Sequence, residues 1–267
     1  MTTAELYQQG KLQEAIEAQI AAVKAKPADQ ALRLFLFELF AFAGDFDRAR
    51  KQIDVLKFDE PALLAAAVNY RNCLESEILR RRAFKEGVAP QFLKAPPEHL
   101  KLRLEALQQI RGGDFVGAKE ILDKADAVTP PAKGLINGKP FQLLRDCDDL
   151  FGPILEVFSK GNYFWVPYED VELLAANPPK FPRDLMWLPA NLQVKEGPAG
   201  EVFLPVIYPG SSEQADQEIK LGRLTDWLQT DGGIVRGVGA RMLLVDEDAI
   251  NLLDIRELNA EEVDVGS

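Results

Sequence analysis

The sequence predicts an α+β protein, in which an N-terminal α-helical repeat array is followed by a compact, mainly antiparallel β domain, a barrel or sandwich. Three observations lead there. Gly10 and Gly44, Ala15 and Ala49, and Pro27 and Pro61 are each 34 residues apart. After Thr129-Pro-Pro131 and Gly134 the apolar period changes from helical to extended. Beyond that point aromatic and β-branched runs follow one another closely, without the long crossover helices that a parallel sheet needs.

The 34-residue interval is the tetratricopeptide period, a helix-turn-helix unit. Gly10-Lys-Leu-Gln-Glu-Ala15 and Gly44-Asp-Phe-Asp-Arg-Ala49 read as the turns inside two such units. The glycine permits the tight turn and the alanine lets the second helix approach closely. A third match is Gly113-Asp-Phe-Val-Gly-Ala118, with Pro130 twelve residues after the alanine, as in the first two units. The first unit starts so near Met1 that its leading helix has only about two turns. Between the second and third matches, residues 61–97 have room for a helix pair, 62–84 and a weaker segment around Gln91. That stretch lacks the Gly-to-Ala pattern and reads as a degenerate or inserted unit. Phe37 and Leu56 stand where the repeat usually has small residues, so an irregular superhelix is expected.

In the second half, candidate strands are 154–158, 163–168, 171–175, 185–194, 201–207, 219–228, 241–246 and 252–258. Residues 143–150 suit a short helix, and 196–200 a hairpin loop. The predicted division is a repeat array at 1–133, an acidic β domain at 134–258 and a flexible tail at 259–267.

Composition limits function. Residues 1–134 carry 20 Lys and Arg against 19 Asp and Glu, and residues 135–267 carry 11 against 23, leaving the halves near +1 and −12. An acidic half argues against nucleic acid, which needs cations for its phosphates. It matches a basic protein surface more easily, although acidity also serves solubility. The first residues do not read as a leader, which would show a basic, an apolar and a small-residue region in turn. The most apolar stretch, 32–43, is short and holds Arg33 and Glu38, so a cytoplasmic protein with no membrane contact is expected. Cys73 and Cys147 are expected to be reduced. The single histidine, His99, and the absence of Cys-x-x-Cys or His-x-x-x-His spacing leave no zinc or haem motif, and no cofactor is predicted.

Other candidate chemistry has plainer readings. Asp146, Asp148 and Asp149 beside Arg145 could hold a divalent cation or serve a metal-dependent hydrolase. The string lacks the glycine and distal glutamate of a calcium loop, and turn formation, capping and ion pairing account for it better. Gly232 to Gly239 has no Gly-Lys-Ser/Thr ending and reads as a strand connection. Ser211 and Ser212 have no triad partners. Arg80-Arg-Arg82 with Lys85 reads as a solvated helix face, and Trp165, Trp187 and Trp227 as core. A pocket inside the β domain would suit a ligand-sensing regulator. No catalytic or metal-ligating set can be assembled, and a non-enzyme is expected.

Five strings carry a family resemblance: Arg145-Asp-Cys-Asp-Asp-Leu-Phe-Gly-Pro153, Tyr163-Phe-Trp-Val-Pro167, Arg183-Asp-Leu-Met-Trp187, Phe203-Leu-Pro-Val-Ile-Tyr-Pro209 and Leu221-Gly-Arg-Leu-Thr-Asp-Trp227. In these, and in the helical repeats before them, the chain resembles the ImpE/TagJ family of type VI secretion accessory proteins. The resemblance implies a binding adaptor whose partners are the small subunit of the contractile sheath and the ClpV-type ATPase that disassembles it. It carries over no residue-level binding motif.

The candidate partner site therefore comes from repeat geometry. Residues 31–42 would form a helix apolar on nearly every side, which must be covered on every side. Core packing is the first reading of such a pattern, and any uncovered part would form a groove for an amphipathic helix. Leu34, Glu38, Ala41 and Phe42 fall at positions that usually line the concave face, with Arg71 as a charged edge. On this reading the isolated array keeps most of the affinity for a sheath-subunit helix.

Overall fold

The computed structural model describes residues 1–57 and 60–260. Seven helices come first: α1 (Thr3–Gln8), α2 (Leu12–Ala25), α3 (Gln30–Phe42), α4 (Phe46–Asp54), α5 (Pro61–Glu86), α6 (Glu98–Gly112) and α7 (Phe115–Ala127). Four of them start at a side-chain cap, and α5 starts on Pro61. Thr2 and Glu5 form a capping box on α1, and the carboxylates of Asp29, Asp45 and Asp114 accept from the first-turn amides of α3, α4 and α7.

Gly10, Gly44 and Gly113 have φ of 75°, 71° and 81°, the left-handed conformation that turns α1 into α2, α3 into α4 and α6 into α7. Ala15, Ala49 and Ala118 are fully buried where each second helix packs on its partner. Between these hairpins the structure departs from the expected helix pair. Residues 61–86 form one continuous helix that ends at Gly87, also left-handed. The segment around Gln91 is extended, because Pro90, Pro96 and Pro97 exclude helix there.

The second half holds β1 (Gly134–Ile136), β2 (Lys139–Phe141), β3 (Leu144–Asp146), β4 (Ile154–Ser159), β5 (Asn162–Pro167), β6 (Val171–Ala176), β7 (Trp187–Val194), β8 (Ala199–Pro205), the single turn α8 (Gln217–Lys220), β9 (Thr225–Gln229), β10 (Val235–Gly239), β11 (Met242–Val245), β12 (Asp248–Asn251) and β13 (Glu257–Ala260). An eight-stranded sheet runs β2-β1-β13-β6-β7-β8-β4-β5, beside a three-stranded sheet, β12-β11-β3, and the two-stranded ribbon β10-β9. All strand pairs are antiparallel, as expected, and the large sheet is open, so of the two expected forms, barrel or sandwich, the closed barrel is not the one adopted. One edge is guarded by the extended segment before α6: Gln91 donates its amide to the Tyr163 carbonyl at 2.8 Å and accepts from the Trp165 amide at 3.0 Å.

Three local expectations are corrected. The helix expected at 143–150 is β3 followed by an aspartate-built turn. The strand expected at 219–228 begins inside α8 and becomes extended only at Thr225. The tail expected from 259 starts two residues too early, because Asn259 and Ala260 belong to β13 and pair with β1; its remainder lies outside the described residues. Gly134 is needed at that pairing, since a Cβ there would stand 2.0 Å from the Asn259 carbonyl oxygen.

Two cores form, and the sheet lies between them. Along β4, Ile154 and Phe158 face the helices while Leu155 and Val157 face a second core, enclosed by β1, β6, β7, β11 and β13. The first core runs from Leu6 through Phe37, Leu74 and Leu107 to Trp165, Trp187 and Tyr208. The helices and the sheet therefore cover one another. Among the described residues no helix is long and apolar enough to cross a membrane.

Candidate functional site

Where α5 crosses the sheet, charged side chains are buried in numbers unusual for a core. Ser76 and Arg80 lie one turn apart on the sheet-facing side of α5. Arg80 grips Glu156 with a two-pronged fork, Nε to Oε1 at 2.9 Å and Nη2 to Oε2 at 2.6 Å, and donates to the Ile207 carbonyl at 3.0 Å. Glu156 stands in the apolar strand Ile-Leu-Glu-Val-Phe, on its helix-facing side, and also receives Arg241 and the Tyr163 hydroxyl. Arg241 donates to Asp146 at 2.8 Å and lies over the rings of Phe151, at 4.5 Å, and Tyr208, at 4.9 Å.

The aspartate cluster continues this network. Asp146 accepts from the Tyr208 hydroxyl at 2.6 Å and from the Asp148 amide at 2.8 Å. Asp148 accepts from Arg236 and from the amides of Leu150 and Gly237, and Asp149 from Arg145 and the Val235 amide. Their oxygens are thus used to build the turn after β3 and to hold the ribbon β9-β10 against it. Among the described residues no group of His, Cys, Asp or Glu is arranged to hold a metal ion. Burial raises the Asp146 carboxyl to about 7, against the pull of Arg241. Burial also pushes Glu156 up, but Arg80 and Arg241 outweigh it and hold that carboxyl below its ordinary value. A buried pair of this kind costs several kcal/mol to break from one side, so the network fixes helix against sheet.

Directly above Arg80 and Tyr208 opens a cleft of about 390 Å³. Phe42, Phe46 and Phe84 form its helical wall, with Phe115 at the start of α7. The 209–214 segment and Leu228, Arg236 and Val238 of the ribbon form the opposite wall. Both halves of the chain are needed to make it.

The five residues proposed from repeat geometry do not share one surface. Ala41 and Phe42 line the cleft but are almost wholly buried. Glu38 turns inward to Arg183, 2.6 Å away, and burial raises its carboxyl despite that partner. Leu34 is half-buried against the first core. Arg71 faces away and ties α5 to the end of α4 through Asp54, at 2.8 Å, and the Ile53 carbonyl, at 3.1 Å.

Two further expectations change. The run 80–82 is split by helix geometry: Arg80 is buried, Arg81 is half-buried in the cleft, and Arg82 is exposed beside Glu86. Trp165 and Trp187 are core, whereas Trp227 is 38% exposed on the ribbon. Cys73 and Cys147 are free thiols. Sequence reasoning missed Glu156, Arg236 and Arg241. A lone Glu inside an apolar strand was the available sign of a buried charge, but its partners lie 76 and 85 residues away.

Comparison with known proteins agrees with this architecture. The family model described as ImpE protein matches residues 138–259. The type VI secretion system accessory component TagJ of Pseudomonas aeruginosa is 34% identical over 99% of this chain and 92% of its own length. The crystal structure of protein VPA1032 from Vibrio parahaemolyticus superposes with a TM-score of 0.88 at 28% identity, over 97% of each chain. The chain belongs to the ImpE/TagJ family.

Proposed function

We propose that this protein is a non-enzymatic accessory component of type VI secretion that works by binding. In this reading the cleft between α3, α5, α7 and the ribbon takes the apolar face of an amphipathic helix from the contractile-sheath small subunit, and another surface meets the ClpV-type ATPase. The observation that carries it is the cleft itself: an open, aromatic-walled hollow, which is the form that helix-in-groove recognition requires. The relative's role as an accessory component supports the setting. The three Gly-to-Ala hairpins support reading the first half as tetratricopeptide-like, a class of binding scaffold.

Calorimetric titration of the full chain with the purified sheath small subunit tests the reading. Phe115 and Leu228 sit on the rim and are only partly covered, so Phe115→Asp and Leu228→Asp leave the core intact. Saturable binding that falls about tenfold or more in each variant, with unchanged circular dichroism, is expected. Absence of binding, or affinity indifferent to both changes, contradicts it.

A further inference from the structure

The cleft has a charge that its protein does not. The whole chain is −11, yet the cleft is lined by Arg80, Arg81, Lys85, Lys220 and Arg236 against two carboxylates, Glu77 and Glu213. Three of the cations are already matched: Arg80 with Glu156, Lys85 with Glu213 at 2.5 Å, and Arg236 with Asp148 at 2.8 Å. Arg81 and Lys220 are not. Arg81 lies over the Phe46 ring at 4.3 Å and donates to the Gly44 carbonyl at 3.1 Å and the Ser212 hydroxyl at 3.4 Å, with no carboxylate among the described residues. Stacking and these two bonds hold its guanidinium ready in one place, which lowers the ordering cost of receiving an anion. Lys220 has no side-chain partner among the described residues, although it borders the same hollow.

Apolar surface also continues outside the hollow. Trp227 packs edge-on against cleft-lining Tyr208, 6.0 Å between ring centres, and is partly exposed; Leu224, just before β9, and Val116, after cleft-lining Phe115, are exposed as well. A small anion needs only the hollow, whereas an apolar apron beside it suits a length of polypeptide.

Resting on the reading of the cleft as the partner site, we infer that its occupant is a helical protein segment in which carboxylates flank an apolar face, received by Arg81 and Lys220. The net negative charge of the chain does not prevent this. The screening length at physiological salt is about 8 Å, so groups at contact decide the pairing and distant acidic residues count for little.

The test measures fluorescence anisotropy of the full chain with two designed helical peptides that share one apolar face, flanked by glutamates in one and lysines in the other. Octanoate serves as a third probe. The glutamate peptide is expected to bind about tenfold tighter than the lysine peptide, and Lys220→Glu and Arg81→Gln each to weaken it about three- to tenfold. Lys220→Glu breaks no side-chain hydrogen bond or ion pair among the described residues, so it carries the test if Arg81→Gln lowers stability. Equal affinity for the two peptides, a preference for lysine, or saturable octanoate binding with neither peptide bound overturns the inference. Capture of the sheath subunit unaffected by Lys220→Glu also overturns it while leaving the adaptor reading standing. Loss of sheath capture alongside Lys220-dependent binding of the glutamate peptide does the reverse.

Discussion

Asp146 shows how one buried side chain ties stability to pH. Its carboxyl is raised to about 7 by burial, against an ordinary value near 4. Between those values the folded chain holds more protons than the unfolded chain at this position, so its contribution is fully present below the ordinary value and lost as pH rises through about 7. Glu156 runs the other way: its folded value is depressed, so its contribution is lost only as pH falls through that lower value. Between pH 5 and 8 Asp146 is therefore the member of this pair that moves. In urea denaturation the stability of wild type relative to Asp146→Asn is expected to decline from pH 5 to pH 8. A difference independent of pH contradicts the assignment.

At the scale of elements, the turns separate what sequence discloses from what it conceals. Gly10, Gly44 and Gly113 were legible because a left-handed turn followed by a close helix contact leaves a Gly-to-Ala trace at fixed local spacing. The site they frame was not. Phe42 could be placed on a helix, but that its cleft is completed by Tyr208 and Leu228 depends on contacts across more than 160 positions, for which one sequence has no period. The helix expected at 143–150 fails for a similar reason: Asp148 turns its carboxylate to the amides of Leu150 and Phe151 and, with Arg236 and Gly237 far along the chain, builds a turn after which the chain enters a strand. Glycine substitution measures the turns. At Gly113 a Cβ meets nothing, so Gly113→Ala should cost only the left-handed strain, about 1 kcal/mol. At Gly44 a Cβ would lie 2.5 Å from the Ser212 hydroxyl and 2.7 Å from Arg81, so Gly44→Ala should cost clearly more. Equal losses in denaturant midpoint would mean that the second hairpin is not held against the 209–214 segment.

For the whole molecule, the shared core decides what can act alone. Phe37 packs against Trp187 at 6.2 Å between ring centres, and Phe84 against Phe151 at 5.9 Å, each pair joining a helix to the sheet half. An array cut at residue 133 loses that cover and one wall of its cleft, so the proposed cleft site, unlike a site on the array alone, requires the full chain. Acidic composition likewise pointed to a basic partner, while the cleft concentrates cations; a total charge averages over a surface and says little about a hollow. The central claim is that partner binding occurs at this jointly built cleft, and hydrogen exchange of the full chain with and without the sheath small subunit tests it most directly. Slowed exchange is predicted in the amides around Phe42, Phe84 and Phe115, in the 209–214 segment and along β9 and β10. Protection confined to α1 and α2 or to the β1 and β2 edge of the sheet, or no protection at all, would contradict it.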